Sequence, residues 1–226
     1  MVSIGDLVAG RVVRARPDYN AYLVLLDDNS DFAILPKENV TRPLKIKDTV
    51  TAAVYAKGER YPILSQRCAH YFRKMAESVF RPAFEHDGIR IHRVASVEHA
   101  AFVKIAVSHP SGGDPIASCL PYVRTYHDRT GMTVSLVRYT KDLFEYVKAA
   151  LSPAPLRSIR RVEISRQEKR AVVIVEHGSI ALFLGPRGAN VSSASKLTDL
   201  HIVPIDERQE SEDRRLPSPG PVVALA

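Results

Sequence analysis

From Leu7 to Ser65 the apolar positions fall in short runs of four to seven residues, divided by turn-forming residues. Leu7–Val13, Ala21–Leu26, Phe32–Pro36, Thr49–Tyr55 and Pro62–Ser65 each read as a strand. Asp27-Asp28-Asn29-Ser30 marks the turn after the second run. Five strands at this spacing, with little helical pattern between them, predict a small closed barrel, whose closure leaves no exposed sheet edge.

Near Cys68 the period lengthens. Tyr71, Phe72, Met75, Val79 and Phe80 share one side of a helix over Cys68–Phe80, and Pro82 is expected to end it. Strands follow over Ile89–Val94 and Phe102–Val107. Asp114 and Pro115 then form a cap and first turn for a helical region reaching Arg129, and Met132–Val137 reads as another strand. The order recurs. A helix over Lys141–Leu151 precedes strands at Val162–Ser165 and Ala171–Val175, which turn at Arg166-Gln167-Glu168-Lys169. Helices over Gly178–Leu184 and Ala189–Leu197 flank Gly185-Pro186-Arg187-Gly188, and Leu200–Ile205 is a last strand. Residues 68–138 and 140–205 thus share the plan helix, strand, strand, helix, helix, strand, an internal repeat. The expected domains are a barrel (1–66), two α/β modules (67–138 and 139–205) and a disordered polar, proline-rich tail (206–226).

Charge narrows the class. The 226 residues carry a formal net charge of +7, and the tail holds −2 of it, which leaves about +9 on the rest. Lys and Arg at that excess suit a polyanion, since neutralising phosphates releases condensed counterions. Cys68 and Cys119 are too few for a disulfide framework or a zinc site. The eight histidines have no metal-ligand spacing, and no P-loop, zinc signature or pair of catalytic carboxylates occurs. A non-catalytic protein without cofactor or metal is expected. No run is apolar and long enough to span a bilayer and no signal peptide opens the chain, so a cytoplasmic monomer without a membrane partner is expected.

The Gly185–Gly188 segment carries the sharpest chemistry. Glycines at both ends let a sugar-phosphate backbone approach the main chain. The helix that follows presents unpaired N–H groups and a positive dipole end, and Arg187 adds a charge. Leu182 and Leu184 lie where bases would rest. A glycine-capped turn is the plain alternative; the surrounding helix–strand order favours a backbone clamp of the KH kind. Arg166, Lys169 and Arg170 belong to a basic run that also includes Arg157, Arg160 and Arg161, either a solvated face or a continuation of a phosphate track. In the barrel, Tyr22 and Phe32 are equally core or base-stacking residues, with Tyr19, Arg11, Arg14 and Arg16 close by.

These segments resemble the NusA family of bacterial transcription factors. Residues 179–205, with Gly185-Pro186-Arg187-Gly188, Asn190-Val191 and Ala194-Ser195-Lys196-Leu197-Thr198, are similar to its second KH domain. Lys104–Ser108 and Asp114–Cys119 are similar to its first KH domain, and Leu151-Ser152-Pro153-Ala154 to the connection between the two. Ala33-Ile34-Leu35-Pro36 and Ile63-Leu64-Ser65 resemble its S1 domain. The likeness covers about nine-tenths of the chain in order.

The resemblance implies an α+β multidomain fold, an S1-type OB barrel followed by two tandem prokaryotic-type (type II) KH domains. It adds Asn190 and Lys196 to the expected RNA contacts. It implies single-stranded RNA as partner, with RNA polymerase or another transcription factor beside it, and a role in elongation, pausing, termination or antitermination. Two departures stand out. The barrel starts at Met1, so the family's amino-terminal polymerase-docking domain is expected to be absent. In the first KH-like module, Pro121-Tyr122-Val123-Arg124 replaces the glycine loop, so that clamp is expected to be lost there. An RNA-binding accessory of translation or RNA turnover, or a protein-interaction scaffold, are the alternative readings.

Overall fold

The structure is a computed structural model that describes residues 2–27 and 31–209. The expected turn at Asp28–Ser30 and positions 210–226 of the expected tail lie outside the described residues. The chain divides into two compact units, Met1–Leu136 and Val137–Ala226.

The first unit opens with the barrel. Its strands are β1 (Leu7–Arg16), β2 (Ala21–Leu26), β3 (Phe32–Pro36), β4 (Thr49–Lys57) and β5 (Pro62–Ser65). They close in the order β1-β2-β3-β5-β4, with β4 returning to β1. These barrel pairings are antiparallel except β3 with β5, where Ile34 lies opposite Ile63. Val8, Val12, Val24, Leu35, Val54 and Leu64 point inward and fill the interior. Alternation along each strand puts every second side chain there, the arrangement closure demands.

Next come α1 (Ala69–Val79), α2 (Arg81–Asp87), β6 (Arg90–Val97), β7 (Phe102–Ser108), α3 (Pro115–Thr130) and β8 (Thr133–Arg138). The first helix ends at Val79, close to the expected end, but a second helix follows directly and Pro82 belongs to it. The proline sits in the first turn of α2, where a missing N–H breaks no intrahelical bond. The sheet has the order β6-β7-β8. Tyr71, Phe72 and Met75 of α1 pack with Cys119 and Tyr126 of α3 against Val103, Ile105 and Val107. The Phe80 and Tyr126 rings stack at 5.9 Å, and the Tyr126 hydroxyl donates to the Phe72 carbonyl (3.0 Å). Asp114 caps α3 as expected, accepting from Ile116 N–H, and Gly131 ends the helix in left-handed conformation. Leu7 and Ala53 of the barrel join this same core, so barrel and first module make one unit.

The second unit repeats the plan with α4 (Leu143–Ala150), β9 (Ile159–Ser165), β10 (Arg170–Val175), α5 (Ile180–Leu184), α6 (Ala189–Thr198) and β11 (His201–Asp206). Central β10 pairs antiparallel with β9 and parallel with β11. Phe183, Ala194 and Leu197 are buried, and the Tyr146 hydroxyl of α4 donates to the Leu197 carbonyl of α6 (3.2 Å). Asp206, expected to begin the tail, instead closes β11, and its carboxylate accepts from Gly178 N–H and His177. Those bonds, with that of Arg208 N–H, hold its carboxyl below the usual range. The repeats differ in the extra helix α2 of the first and at one further place. Where the second breaks between α5 and α6, the first runs α3 straight through Pro121, Tyr122, Val123 and Arg124.

Candidate nucleic-acid interface

The Gly185–Gly188 loop is built by three positive-φ residues in four. Short α5 ends at Gly185, whose N–H donates to the Ala181 carbonyl (3.0 Å) and whose φ of 69° and ψ of 177° are a conformation nearly confined to glycine. Pro186 starts a single 3-10 turn, Arg187 is left-handed (φ 52°, ψ 31°), and Gly188 follows at φ 71°, ψ 13°. Gly188 N–H donates back to the Gly185 carbonyl (3.1 Å), which tightens the turn. No side chain caps the start of α6, so no side-chain oxygen masks its positive dipole end.

The two glycines serve different ends. A Cβ on Gly185 would lie 2.7 Å from Asn190 Cβ, so this glycine exists for packing inside the unit. A Cβ on Gly188 would have only Ser192 Oγ within reach, at 4.0 Å, so Gly188 presents bare backbone to solvent. The backbone at Gly188 is therefore open to close approach. Pro186 and Arg187 are exposed beside it, and Leu182 and Leu184 expose apolar surface on the preceding helix.

Asn190 does not present a contact as expected. It is buried, and its Nδ2 donates to the carbonyls of Leu151 (2.9 Å) and Phe183 (3.0 Å). One amide thus ties the ends of α4 and α5 to the start of α6. At the second position of α6, turned toward two helix ends, the side chain is held away from solvent. Ser192 and Lys196, at i+4 and i+8 from Gly188, share its side of the helix, and Lys196 is exposed. Ser192 was legible in that spacing alone.

Arg166, Lys169 and Arg170 are exposed at the β9–β10 turn. Lys169 Nζ lies 3.6 Å from Asp199, the C-cap of α6, so this turn stands at the opposite end of α6 from the loop. Ten helical residues span about 15 Å, two to three nucleotides of extended chain. The rest of the basic run is differently engaged: Arg160 pairs with Glu176 (2.9 Å) and Glu207 (3.3 Å), and Arg161 with Glu163 (2.9 Å).

In the first module the continuous α3 replaces any loop. Tyr122 turns its ring edge-on to Phe80 (6.4 Å), while Arg124 is exposed. In the barrel, Tyr22 belongs to the core and is no stacking platform: it is 6% exposed, and its hydroxyl accepts from Leu44 N–H (3.2 Å). Phe32 is half-buried and lies edge-on to Tyr61 (6.0 Å) at a shallow depression of about 360 Å³ that Lys57 and Arg60 also line. Arg60 covers the Tyr61 ring at 5.2 Å. Parallel β3–β5 pairing brings Tyr61 to Phe32, a neighbour no local pattern announces. Tyr19 is 71% exposed, with the Arg16 guanidinium 4.9 Å from its ring centre. Among the described residues no group of His, Cys, Asp and Glu is placed to hold a metal, and no helix is long and apolar enough to cross a membrane.

Comparison with known proteins bears on the same segments. Residues 143–212 match the NusA-like second KH domain. The transcription termination/antitermination protein NusA of Rickettsia prowazekii is 27% identical over 223 residues, covering 93% of this chain and 43% of the relative. NusA of Halalkalibacterium halodurans is 34% identical over 108 residues, 46% of this chain and 27% of that protein. NusA of Thermus thermophilus is 36% identical over 106 residues, 43% of this chain and 27% of that protein. The chain spans less than half the length of these relatives. The likeness is to transcription factors and not to enzymes. The chain is thus NusA-like, with a NusA-like second KH domain at 143–212 and a resemblance to NusA that runs through nearly all of its length.

Proposed function

We propose that this chain is a non-catalytic cytoplasmic RNA-binding protein. It holds single-stranded RNA on an S1-type barrel and two tandem type II KH modules, and so modulates transcription elongation, pausing, termination or antitermination. The domains are the barrel (1–66), the first KH module (67–138) and the second (139–205). RNA polymerase or another transcription factor is the protein partner, and the chain acts as a monomer. The observation that carries the reading is bare backbone at Gly188 on the uncapped amino end of α6, with Arg187 beside it and Lys196 further along the same side of the helix. That is a site for a phosphate. Bases rest on Leu182 and Leu184, and Arg166, Lys169 and Arg170 extend the track. Phe32, with Tyr61 and Arg60, supplies stacking on the barrel. Phosphate contacts and stacking position the strand and read little sequence.

The test is fluorescence anisotropy with labelled oligouridine and the variants Gly188→Asp and Arg187→Glu, across a salt series. Either variant is expected to weaken binding at least tenfold, about 1.4 kcal/mol, and to flatten the salt slope. Unchanged affinity with an intact circular dichroism spectrum refutes the loop's role.

A further inference from the structure

The first unit holds a cleft of about 550 Å³ that the loop at Gly188 does not use. Its walls come from the barrel on one side and from α1 and the end of α3 on the other. Gln66, 8% exposed, forms part of the floor. Its Oε1 accepts from the N–H and hydroxyl of Thr41 (3.2 and 3.3 Å), and its Nε2 donates to the Thr51 carbonyl (2.9 Å). Those bonds fix the backbone next to Arg42. Across the cleft, the Tyr71 hydroxyl donates to the Arg129 carbonyl (3.4 Å) and fixes the end of α3. Arg42 and Arg129 thus line one hollow from two pinned frames. Both arginines are exposed, and neither has a carboxylate partner among the described residues. Asp128 is the one carboxylate in the lining, so the cleft has an excess of positive charge. Thr49 and Ser78 add hydroxyl donors.

Guanidiniums fork onto phosphate oxygens, and hydroxyls donate to phosphate and ribose. The volume falls in the range of sites for a nucleotide-sized group. In the first module α3 runs continuously, so no glycine loop offers a phosphate contact there. We infer that the cleft walled by Arg42 and Arg129 is a second phosphate-binding station, which takes the sugar-phosphate backbone of the same single-stranded RNA that the Gly188 loop holds. This rests on the RNA-binding reading above. The first unit then contributes to RNA affinity through the cleft and not through a KH clamp.

The experiment uses the full chain with labelled oligouridines of 6 and 20 nucleotides. For the double variant Arg42→Gln, Arg129→Gln, binding of the 20-mer is expected to fall at least fivefold. Its log–log salt slope is expected to drop by about 1.4, from two lost contacts at roughly 0.7 each. Binding of the 6-mer, held at the loop, is expected to stay the same. Removing the same charge by Arg81→Gln, Arg90→Gln is expected to leave both unchanged. Equal losses for both lengths, or for both double variants, reduce the effect to net charge and overturn the inference, as does an unchanged 20-mer. Uridine monophosphate is expected not to compete with the 20-mer at concentrations matched in phosphate. Competition by it would assign the cleft to a free nucleotide instead and overturn the RNA assignment. If Gly188→Asp leaves both lengths unchanged while the cleft variant weakens the 20-mer, the loop reading fails and the cleft stands.

Discussion

Replacing Gly185 by alanine adds one methyl group in a place where the chain has no room for it. Two effects add. The backbone angles at this residue are nearly confined to glycine, and holding another residue there costs about 1–3 kcal/mol. The new Cβ would also lie 2.7 Å from Asn190 Cβ. Relief requires Asn190 to shift, and with it the hydrogen bonds to Leu151 and Phe183, each worth about 1 kcal/mol. The sum is at least about 3 kcal/mol. Gly188→Ala meets open space, and its left-handed backbone costs about 1–2 kcal/mol, part of which is offset by a stiffer unfolded chain. The difference, about 2 kcal/mol, is readable by hydrogen exchange of peptides from the second unit over a urea series. With a slope of about 1.5 kcal/mol per molar, Gly185→Ala should move the opening midpoint by at least about 2 M and Gly188→Ala by less than about 1 M. Equal shifts, or a larger one for Gly188→Ala, would refute the division of labour between the two glycines.

Two further perturbations test the interior. Asn190→Ala leaves the Leu151 and Phe183 carbonyls without their donor, at about 2–3 kcal/mol, and should lower the calorimetric transition of the second unit by roughly 10–20 °C; a loss of RNA affinity with no loss of stability would return Asn190 to the binding surface. Lys104 on β7 is fully buried, with Nζ 5.9 Å from the centre of the Phe102 ring, and burial pushes its ammonium down to about 7. The unfolded chain therefore binds the extra proton between pH 7 and about 10.5, so stability should rise with pH through that window and flatten below it. Lys104→Met should abolish the rise and be at least as stable as the parent at pH 7, read by urea denaturation at stepped pH; a parent curve that is flat from pH 7 to 10 would refute it.

How far the sequence could be read is clear from particular elements. β2, β3 and β5 coincide with their apolar runs, because alternation and turn residues are local signals. Asp114 caps α3 as expected, since caps act within a few residues. Helix α2 was hidden by Pro82: the same residue that stops one helix suits the first turn of the next. Tyr22 could not be assigned from its run. Alternation tells that two faces exist, but only barrel closure decides which is inside, and β1 carries a register shift between Val12 and Arg14 that alters the parity next to it. The motif that suggested Asn190 as a contact reports its presence but not its direction.

By itself the sequence determined the periods, the repeat, the excess of positive charge and the need for glycine between two short helices, because each depends on residues close together in the chain. Tertiary structure alone decided that Gly185 serves Asn190 while Gly188 is bare, that Phe32 meets Tyr61 through parallel strands, and that Arg42 and Arg129 share a cleft. Those facts depend on residues far apart in sequence, whose meeting is set by how sheets close and helices pack, and no local pattern encodes it.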